Sequence, residues 1–158
     1  MVRVLFVCLG NICRSPAAEG VMKHLVRSHG LENKIEVQSA GTAGYHEGEP
    51  ADTRMSAHAS RRGYTLDSLA QRFQTKFFDE FDYIITMDRS NYQNVIKLAS
   101  SEDQEKKVIP MAHLCEAHSI TEVPDPYYEG SEGFELVLDL VEDGCKALLQ
   151  RIQDQQRL

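Results

Sequence analysis

The chain has 158 residues, of which 42% are hydrophobic and 26% charged, and its formal net charge is −7. This size and balance predict one globular domain over residues 1–158 and argue against a disordered or fibrous protein. The acidic charge disfavours nucleic acid and anionic membranes as partners, because both require a basic surface. No stretch resembles a signal peptide or a membrane span, so we expect a cytoplasmic protein.

Four strands and four long helices are predicted along the chain. The strands are residues 3–7, 34–39, 81–87 and 107–111, and the last contains Pro110, which favours a sheet edge. The amphipathic helices are residues 16–29, 53–62, 90–100 and 131–151. Because alternating strands and helices form parallel sheets through right-handed crossovers, we predict a three-layer α/β fold. It would have a four-stranded parallel sheet with helices on both faces.

Functional residues are expected where the strands end, because ligands of open parallel sheets bind at the carboxyl ends of the strands. The first strand runs directly into the motif "VCLGNICRSP", residues 7–16. Two long loops, residues 43–52 and 112–130, are further candidates, since loops of this length in compact domains are usually functional.

Three interpretations compete for the motif. A disulfide or metal clip would use Cys8 and Cys13, but the four cysteines form no CxxC pair and no zinc-finger spacing, and a reducing compartment favours free thiols. A dinucleotide-binding loop would need a GxGxxG pattern, whereas Gly10 stands alone. The third interpretation, a phosphate cradle around a nucleophile, accounts for all the residue types. We therefore expect neither a metal nor a cofactor.

The cradle interpretation has a physical basis in the start of the following helix. A helix that begins at Ser15 presents unpaired N–H groups and the positive end of its dipole to the preceding loop. Gly10 and Asn11 tolerate left-handed backbone, which lets successive N–H groups converge on an anion. Arg14 adds a planar guanidinium that can bind two phosphate oxygens. In this positive field we expect Cys8 to be a thiolate at neutral pH and to accept a phosphoryl group.

The sequence "CLGNICRS" at residues 8–15 resembles the signature loop of the low-molecular-weight protein tyrosine phosphatases. A second signature of that family, Asp-Pro-Tyr-Tyr, stands at residues 125–128, and similar stretches occur at residues 38–42, 48–52 and 81–88. The resemblance spans nearly the whole chain and implies a flavodoxin-like fold of the phosphotyrosine phosphatase I type. It also implies phosphotyrosine-containing proteins as substrates, inorganic phosphate as product and inhibitor, and a monomer or weak homodimer.

The resemblance assigns the chemistry to three residues. Cys8 would attack phosphorus to form a phosphocysteine, and Asp125 would protonate the leaving phenolate and later act as a base towards water. Arg14 and the loop N–H groups would hold the phosphate oxygens. The phosphate-binding residues, here called the cradle loop, would be Leu9, Gly10, Asn11, Ile12, Cys13, Arg14 and Ser15. An ordinary Asx turn before a proline is the structural alternative for Asp125.

The substrate class follows from the expected walls of the pocket. Leu9 and Ile12 offer apolar side chains at the mouth, and Tyr45, Tyr127 and Tyr128 resemble the aromatic rim of the family. Such walls would hold a flat ring, so a deep aromatic slot favours phosphotyrosine over the shorter phosphoserine.

Supporting roles are expected around the loop. Ser15 would either donate its hydroxyl to the Cys8 thiolate or cap the helix. Asn11 would shape the loop, and Ser39 resembles a serine of the family that hydrogen-bonds this asparagine. The chain departs from the family at residues 68–72, where "SLAQR" replaces a stretch that often begins with histidine, so this support is either weaker or rebuilt.

Cys13 has two interpretations. It is either a small residue that faces the core or a thiol that captures oxidised Cys8 as a disulfide.

Three rival functions were weighed against the phosphatase. Arsenate reductases of this fold need further cysteines near residues 87–92, and none is present. Protein-arginine phosphatases of the same family carry threonine where this chain has Ile12. A phosphotyrosine-binding module without chemistry is disfavoured because Cys8, Arg14 and Asp125 are all present.

Overall fold

A parallel sheet forms the middle layer of the protein. The computed structural model describes residues 1–158. The strands are β1 (Val2–Cys8), β2 (Ile35–Gly41), β3 (Tyr83–Thr86) and β4 (Val108–Pro110). All strands run parallel in the order β2-β1-β3-β4, so β4 and its Pro110 lie at an edge as predicted. The predicted α/β class with a four-stranded parallel sheet is therefore confirmed.

Seven helices surround the sheet. They are α1 (Arg14–Ser28), α2 (Thr53–Arg61), α3 (Phe77–Glu80), α4 (Arg89–Ile96), α5 (Glu102–Lys106), α6 (Met111–Leu114) and α7 (Ser131–Gln156). The four long predicted helices are confirmed, although α4 ends four residues early and α7 extends further. The short helices α3, α5 and α6 were missed because one turn is too short to display a helical period. None of the helices is both long and apolar enough to cross a membrane.

Each face of the sheet carries its own core, because successive side chains of a strand point to opposite faces. Helices α1 and α7 cover one face, where thirty buried residues form a continuous cluster. Ten buried residues lie on the other face, including four phenylalanines between residues 73 and 81. Cys145, which its helical spacing predicts to be a core residue, is fully buried in α7. The cores hold the sheet rigid beneath the loops at its carboxyl edge.

A glycine lets two strands meet closely beneath the candidate site. Cys8 at the end of β1 pairs in register with Gly41 at the end of β2. A Cβ atom on Gly41 would lie 2.7 Å from the carbonyl oxygen of Leu9 and 3.1 Å from the backbone nitrogen of Asn11. Real Cβ atoms do not approach backbone so closely, so only glycine allows the loop after β1 to rest on β2.

The packing of α7 can be tested by truncating one buried and one exposed leucine of the same helix. Leu138 is fully buried and Leu136 is 42% exposed. We expect Leu138→Ala to lower the free energy of unfolding by about 2–5 kcal/mol, because it leaves a cavity in the core. The control Leu136→Ala should cost less than about 1 kcal/mol. Urea unfolding measures both, and equal losses would contradict the packing described here.

Candidate active site

The cradle loop connects β1 to α1 and leaves its own backbone donors free. None of the N–H groups of residues 9–15 has a hydrogen-bond acceptor within the protein. Asn11 has a left-handed backbone with φ of 59°, as its residue type allows, whereas Gly10 does not adopt this conformation. Helix α1 begins at Arg14, two residues before its predicted start at residue 16, and Pro16 lies in the first turn, where no N–H is required. The loop therefore offers a row of donors to an anion.

Ser15 contacts the candidate nucleophile. Its Oγ lies 2.9 Å from Cys8 Sγ and accepts a hydrogen bond of 2.8 Å from Asn11 Nδ2. Because that amide already donates to Ser15, the hydroxyl proton can point at the sulfur, the nearer of two acceptors; the other is the carbonyl oxygen of Ala40 at 3.4 Å. Residue 13 occupies the N-cap position of α1, and no side chain caps this helix. The capping alternative for Ser15 is therefore wrong.

The side chain of Asn11 is fixed by hydrogen bonds to several residues. Its Nδ2 donates to Ser39 Oγ at 2.9 Å, and its Oδ1 accepts from the backbone N–H of Gln71 at 3.0 Å. Ser39 Oγ in turn donates to Glu19 Oε1 at 2.5 Å, and Glu19 Oε2 accepts from Lys23 Nζ at 2.6 Å. Glu19 is 4% exposed, so its charge is buried and needs both partners.

The departure from the family at residues 68–72 can now be located. No hydrogen bond involves the Ser68 side chain, and the support for Asn11 comes from the backbone N–H of Gln71 instead. Gln71 also donates through Nε2 to the carbonyl oxygen of Ser39 at 3.0 Å. The support of the loop is thus rebuilt from main-chain groups and from Glu19, and no local sequence pattern marks either of them.

Arg14 is a buried cation with fixed orientation. Its side chain is 2% exposed, and Nη1 donates to Asp88 Oδ2 at 2.6 Å and to the carbonyl oxygen of Val123 at 3.2 Å. Burial by itself would lower the pKa of Arg14, but the charges of Cys8 and Asp88 outweigh burial and raise the pKa above its usual value. Asp88 was missed as a site residue, although its place at the end of β3 pointed to this edge of the sheet.

Asp125 faces the same arginine from the loop before α7. We call residues 121–130 the acid loop. Asp125 Oδ2 lies 3.6 Å from Arg14 Nη2, and its side chain is 44% exposed. Oδ1 accepts a hydrogen bond of 3.0 Å from the backbone N–H of Tyr127, which is the Asx turn that the sequence allowed. The structural and the functional interpretations of Asp125 are therefore compatible, because different oxygens serve them.

A cavity of about 340 Å³ opens above the cradle loop. It is lined by Cys8, Leu9, Gly10, Ile12, Cys13, Arg14, Tyr45, His46, Asp125, Tyr127 and Tyr128. All the residues that were predicted to wall the pocket or to perform its chemistry meet here, and Asn11, Ser15 and Ser39 support the loop. His46 was not predicted. The rim is open, since Tyr45 is 77% and Tyr128 94% exposed.

Arg54 holds one wall of this cavity in place. Its guanidinium lies 5.2 Å from the ring centroid of Tyr127 and 4.9 Å from that of Phe134. Its Nη2 also pairs with Asp52 Oδ2 at 3.0 Å, and the backbone N–H of Asp52 donates to the carbonyl oxygen of Ile12 at 2.8 Å. Arg54 thereby connects Tyr127 in the wall to the cradle loop. These positions are far apart in sequence, so no local pattern predicts the contact.

Cys13, the second cysteine of the motif, is a protonated thiol. All four are free thiols. Burial, with the nearby charge of Asp52, raises the pKa of Cys13 well above its ordinary value, so this thiol stays protonated. No group of three or more His, Cys, Asp or Glu side chains is arranged to hold a metal ion.

Known proteins resemble this chain in sequence and in fold. The model of the low molecular weight phosphotyrosine protein phosphatase family matches residues 3–158. A low molecular weight protein-tyrosine-phosphatase of Streptomyces coelicolor is 41% identical, with 97% of this chain and 94% of that protein covered. The crystal structure of a protein tyrosine phosphatase from Entamoeba histolytica, with Hepes in its active site, is 44% identical with a TM-score of 0.95 and 99% of both chains covered.

A further structural neighbour has a different printed activity. The crystal structure of a Drosophila arginine phosphatase is 29% identical with a TM-score of 0.88, and 95% of this chain and 97% of that chain are covered. The fold alone therefore does not separate aryl from guanidine phosphates. The match of the family model across residues 3–158 nevertheless shows that this chain belongs to the low molecular weight phosphotyrosine protein phosphatases, a family of phosphate monoester hydrolases.

Proposed function

We propose that this protein is a protein-tyrosine phosphatase that hydrolyses phosphotyrosine and aryl phosphates through a phosphocysteine on Cys8. The observation that carries the proposal is the row of unpaired N–H groups at residues 9–15 beside the buried Arg14 and the sulfur of Cys8. A phosphate dianion would satisfy these donors and the guanidinium at once. Phosphoryl transfer requires little more from a protein than such positioning and charge stabilisation.

The first step is an in-line displacement at phosphorus. The bond from Cys8 Sγ to phosphorus forms while the bond from phosphorus to the phenolic oxygen breaks. Asp125, in its protonated form, transfers its proton to that oxygen, so a neutral phenol leaves. The Ser15 hydroxyl, 2.9 Å from the sulfur, stabilises the thiolate before attack.

The second step regenerates the enzyme with water. Asp125, now a carboxylate, removes a proton from a water molecule. The oxygen of that water bonds to phosphorus while the sulfur–phosphorus bond breaks. The products are inorganic phosphate and the free Cys8 thiolate. Because phosphate carries the same oxygens as the transferred group, it would bind the cradle loop and act as a competitive inhibitor.

The walls of the cavity support an aromatic substrate. Leu9 and Ile12 are apolar groups at the mouth, and Tyr127 is held by Arg54 as a flat, half-buried wall. A phenyl ring would fit between such side chains, whereas the charged guanidinium of phosphoarginine would desolvate against Ile12. These contacts support phosphotyrosine-containing proteins as substrates over phosphoarginine proteins.

The catalytic assignment can be tested with p-nitrophenyl phosphate for the nucleophile and with phenyl phosphate, whose leaving group is more basic, for the acid. We expect Cys8→Ser to abolish turnover, because no thiolate remains to attack phosphorus. Asp125→Ala should lower kcat/KM by roughly 10²–10⁴-fold for an aryl phosphate with a basic leaving group, which is the usual contribution of a general acid. Cys115→Ser is the matched control, since that half-buried thiol lies outside the cavity and should keep wild-type rates. Wild-type turnover by Cys8→Ser would refute the mechanism.

The preference for aryl phosphate depends on Ile12 and can be tested separately. We expect kcat/KM for a phosphotyrosine peptide to exceed that for a phosphoarginine peptide of the same sequence. Ile12→Thr should shift the ratio towards phosphoarginine by about 10-fold, because a hydroxyl replaces an apolar contact at the mouth. Ile12→Val, which keeps the apolar surface, is the control. An unchanged ratio in Ile12→Thr would show that other residues select the substrate.

A further inference from the structure

We propose that Glu122 is a positioning residue that holds the acid loop, and with it Asp125, against the N-terminus of α4. The inference rests on the proposed function, since it concerns the general acid of that reaction. Glu122 Oε2 accepts a hydrogen bond of 2.9 Å from the backbone N–H of Arg89, the first residue of α4. The contact joins positions that are 33 residues apart, and it links a loop to a helix end.

The N-terminus of α4 has a place for this carboxylate. Asp88 is the N-cap residue, and its Oδ1 accepts the N–H of Asn91 at 2.8 Å. The N–H of Arg89 is left over by that cap and points to Glu122 instead. A carboxylate at this position also gains from the positive end of the helix dipole. Glu122 therefore pairs with a donor that would otherwise have only water as a partner.

The same helix end is coupled to the arginine of the cradle loop. Asp88 Oδ2 accepts from Arg14 Nη1, and the carbonyl oxygen of Val123, next to Glu122, accepts from the same nitrogen. The N–H of Val123 donates to the carbonyl oxygen of Met87 at 2.8 Å. Thus two adjacent residues of the acid loop are bonded to the end of β3 and to α4, immediately before the segment that carries Asp125.

Packing anchors Val123, which is fully buried in the core, but not its neighbours Glu122 and Asp125. Glu122 is exposed, and a second cavity of about 390 Å³ lies beside it, between the loop, α4 and the end of β4. Asp125 is also exposed and has only its own Asx turn and the contact of 3.6 Å with Arg14. Because Glu122 and Asp125 are exposed, the aim of Asp125 depends on the buried Val123 and on the hydrogen bonds at the base of the loop, and Glu122 supplies the one that comes from a side chain of the loop itself.

The alternative role for Glu122 is to stabilise the fold without affecting the chemistry, and leaving-group dependence distinguishes the two. A misplaced acid slows the release of a basic leaving group much more than that of a weakly basic one. The value of kcat/KM reports this step, because it covers events up to the release of the phenol. A loss of folded protein would instead lower kcat/KM for all substrates equally.

The experiment compares Glu122→Ala, Glu122→Gln and Glu129→Ala with phenyl phosphate and p-nitrophenyl phosphate. In Glu122→Ala we expect kcat/KM for phenyl phosphate to fall by about 10-fold, part of the full contribution of a general acid, and for p-nitrophenyl phosphate by less than about 2-fold. Glu122→Gln keeps an amide oxygen as acceptor and should retain most of the phenyl phosphate rate. Glu129 belongs to the same loop and makes no side-chain hydrogen bond or ion pair, so Glu129→Ala should match the wild type.

A second comparison separates failure of this inference from failure of the proposed function. If Asp125 is the acid, Glu122→Ala should cause no further fall with phenyl phosphate in an Asp125→Asn background, because the positioned group is already absent. Suppose that Asp125→Asn loses rate selectively with phenyl phosphate. If Glu122→Ala then shows equal losses on both substrates, or no loss, the role of Glu122 is overturned and the proposed function stands. If Asp125→Asn itself shows no such selectivity, the proposed mechanism fails first.

Discussion

Seven consecutive backbone N–H groups without an acceptor constrain everything else in the site. Such donors are costly to enclose unless an anion binds them, because a buried polar group without a partner loses its hydration. The left-handed backbone of Asn11 is part of the loop conformation, and Ser15, Ser39 and the N–H of Gln71 hold that side chain in place. These contacts hold the donors in a fixed arrangement that suits the proposed binding of phosphate.

The site places a buried cation, Arg14, beside a row of unpaired backbone N–H donors in a protein whose net charge is negative. Arg14 is buried among acceptors from Asp88, which lies between β3 and α4, and from the acid loop, and these fix the plane of its guanidinium. A fixed fork loses less freedom when it binds a phosphate than a mobile surface side chain would. Because the overall charge of −7 would repel anionic substrates, binding has to come from this local field.

Local patterns were sufficient for most of the fold. Apolar runs and helical periods located the four strands and the four long helices, because each spans enough residues to display a period. Helix α1 starts two residues before its predicted start, and the capping alternative for Ser15 is not realised because its hydroxyl is engaged by Asn11 and Cys8. A side chain that has partners in the site is not available to the helix end.

The sequence by itself indicated the family and the residues proposed to carry the chemistry, since Cys8, Arg14 and Ser15 follow the first strand at short spacing and Asp125 lies in the second signature. The groups that hold these residues emerged only from the tertiary structure. Asp88 and Glu122 are ordinary acidic residues in the sequence. The fold brings Asp88 to Arg14 and brings Glu122 to the N-terminus of α4. The N–H of Gln71 is common to every residue type except proline, so no amino-acid identity could mark it. Such contacts depend on distances between remote segments, which only the packed fold decides.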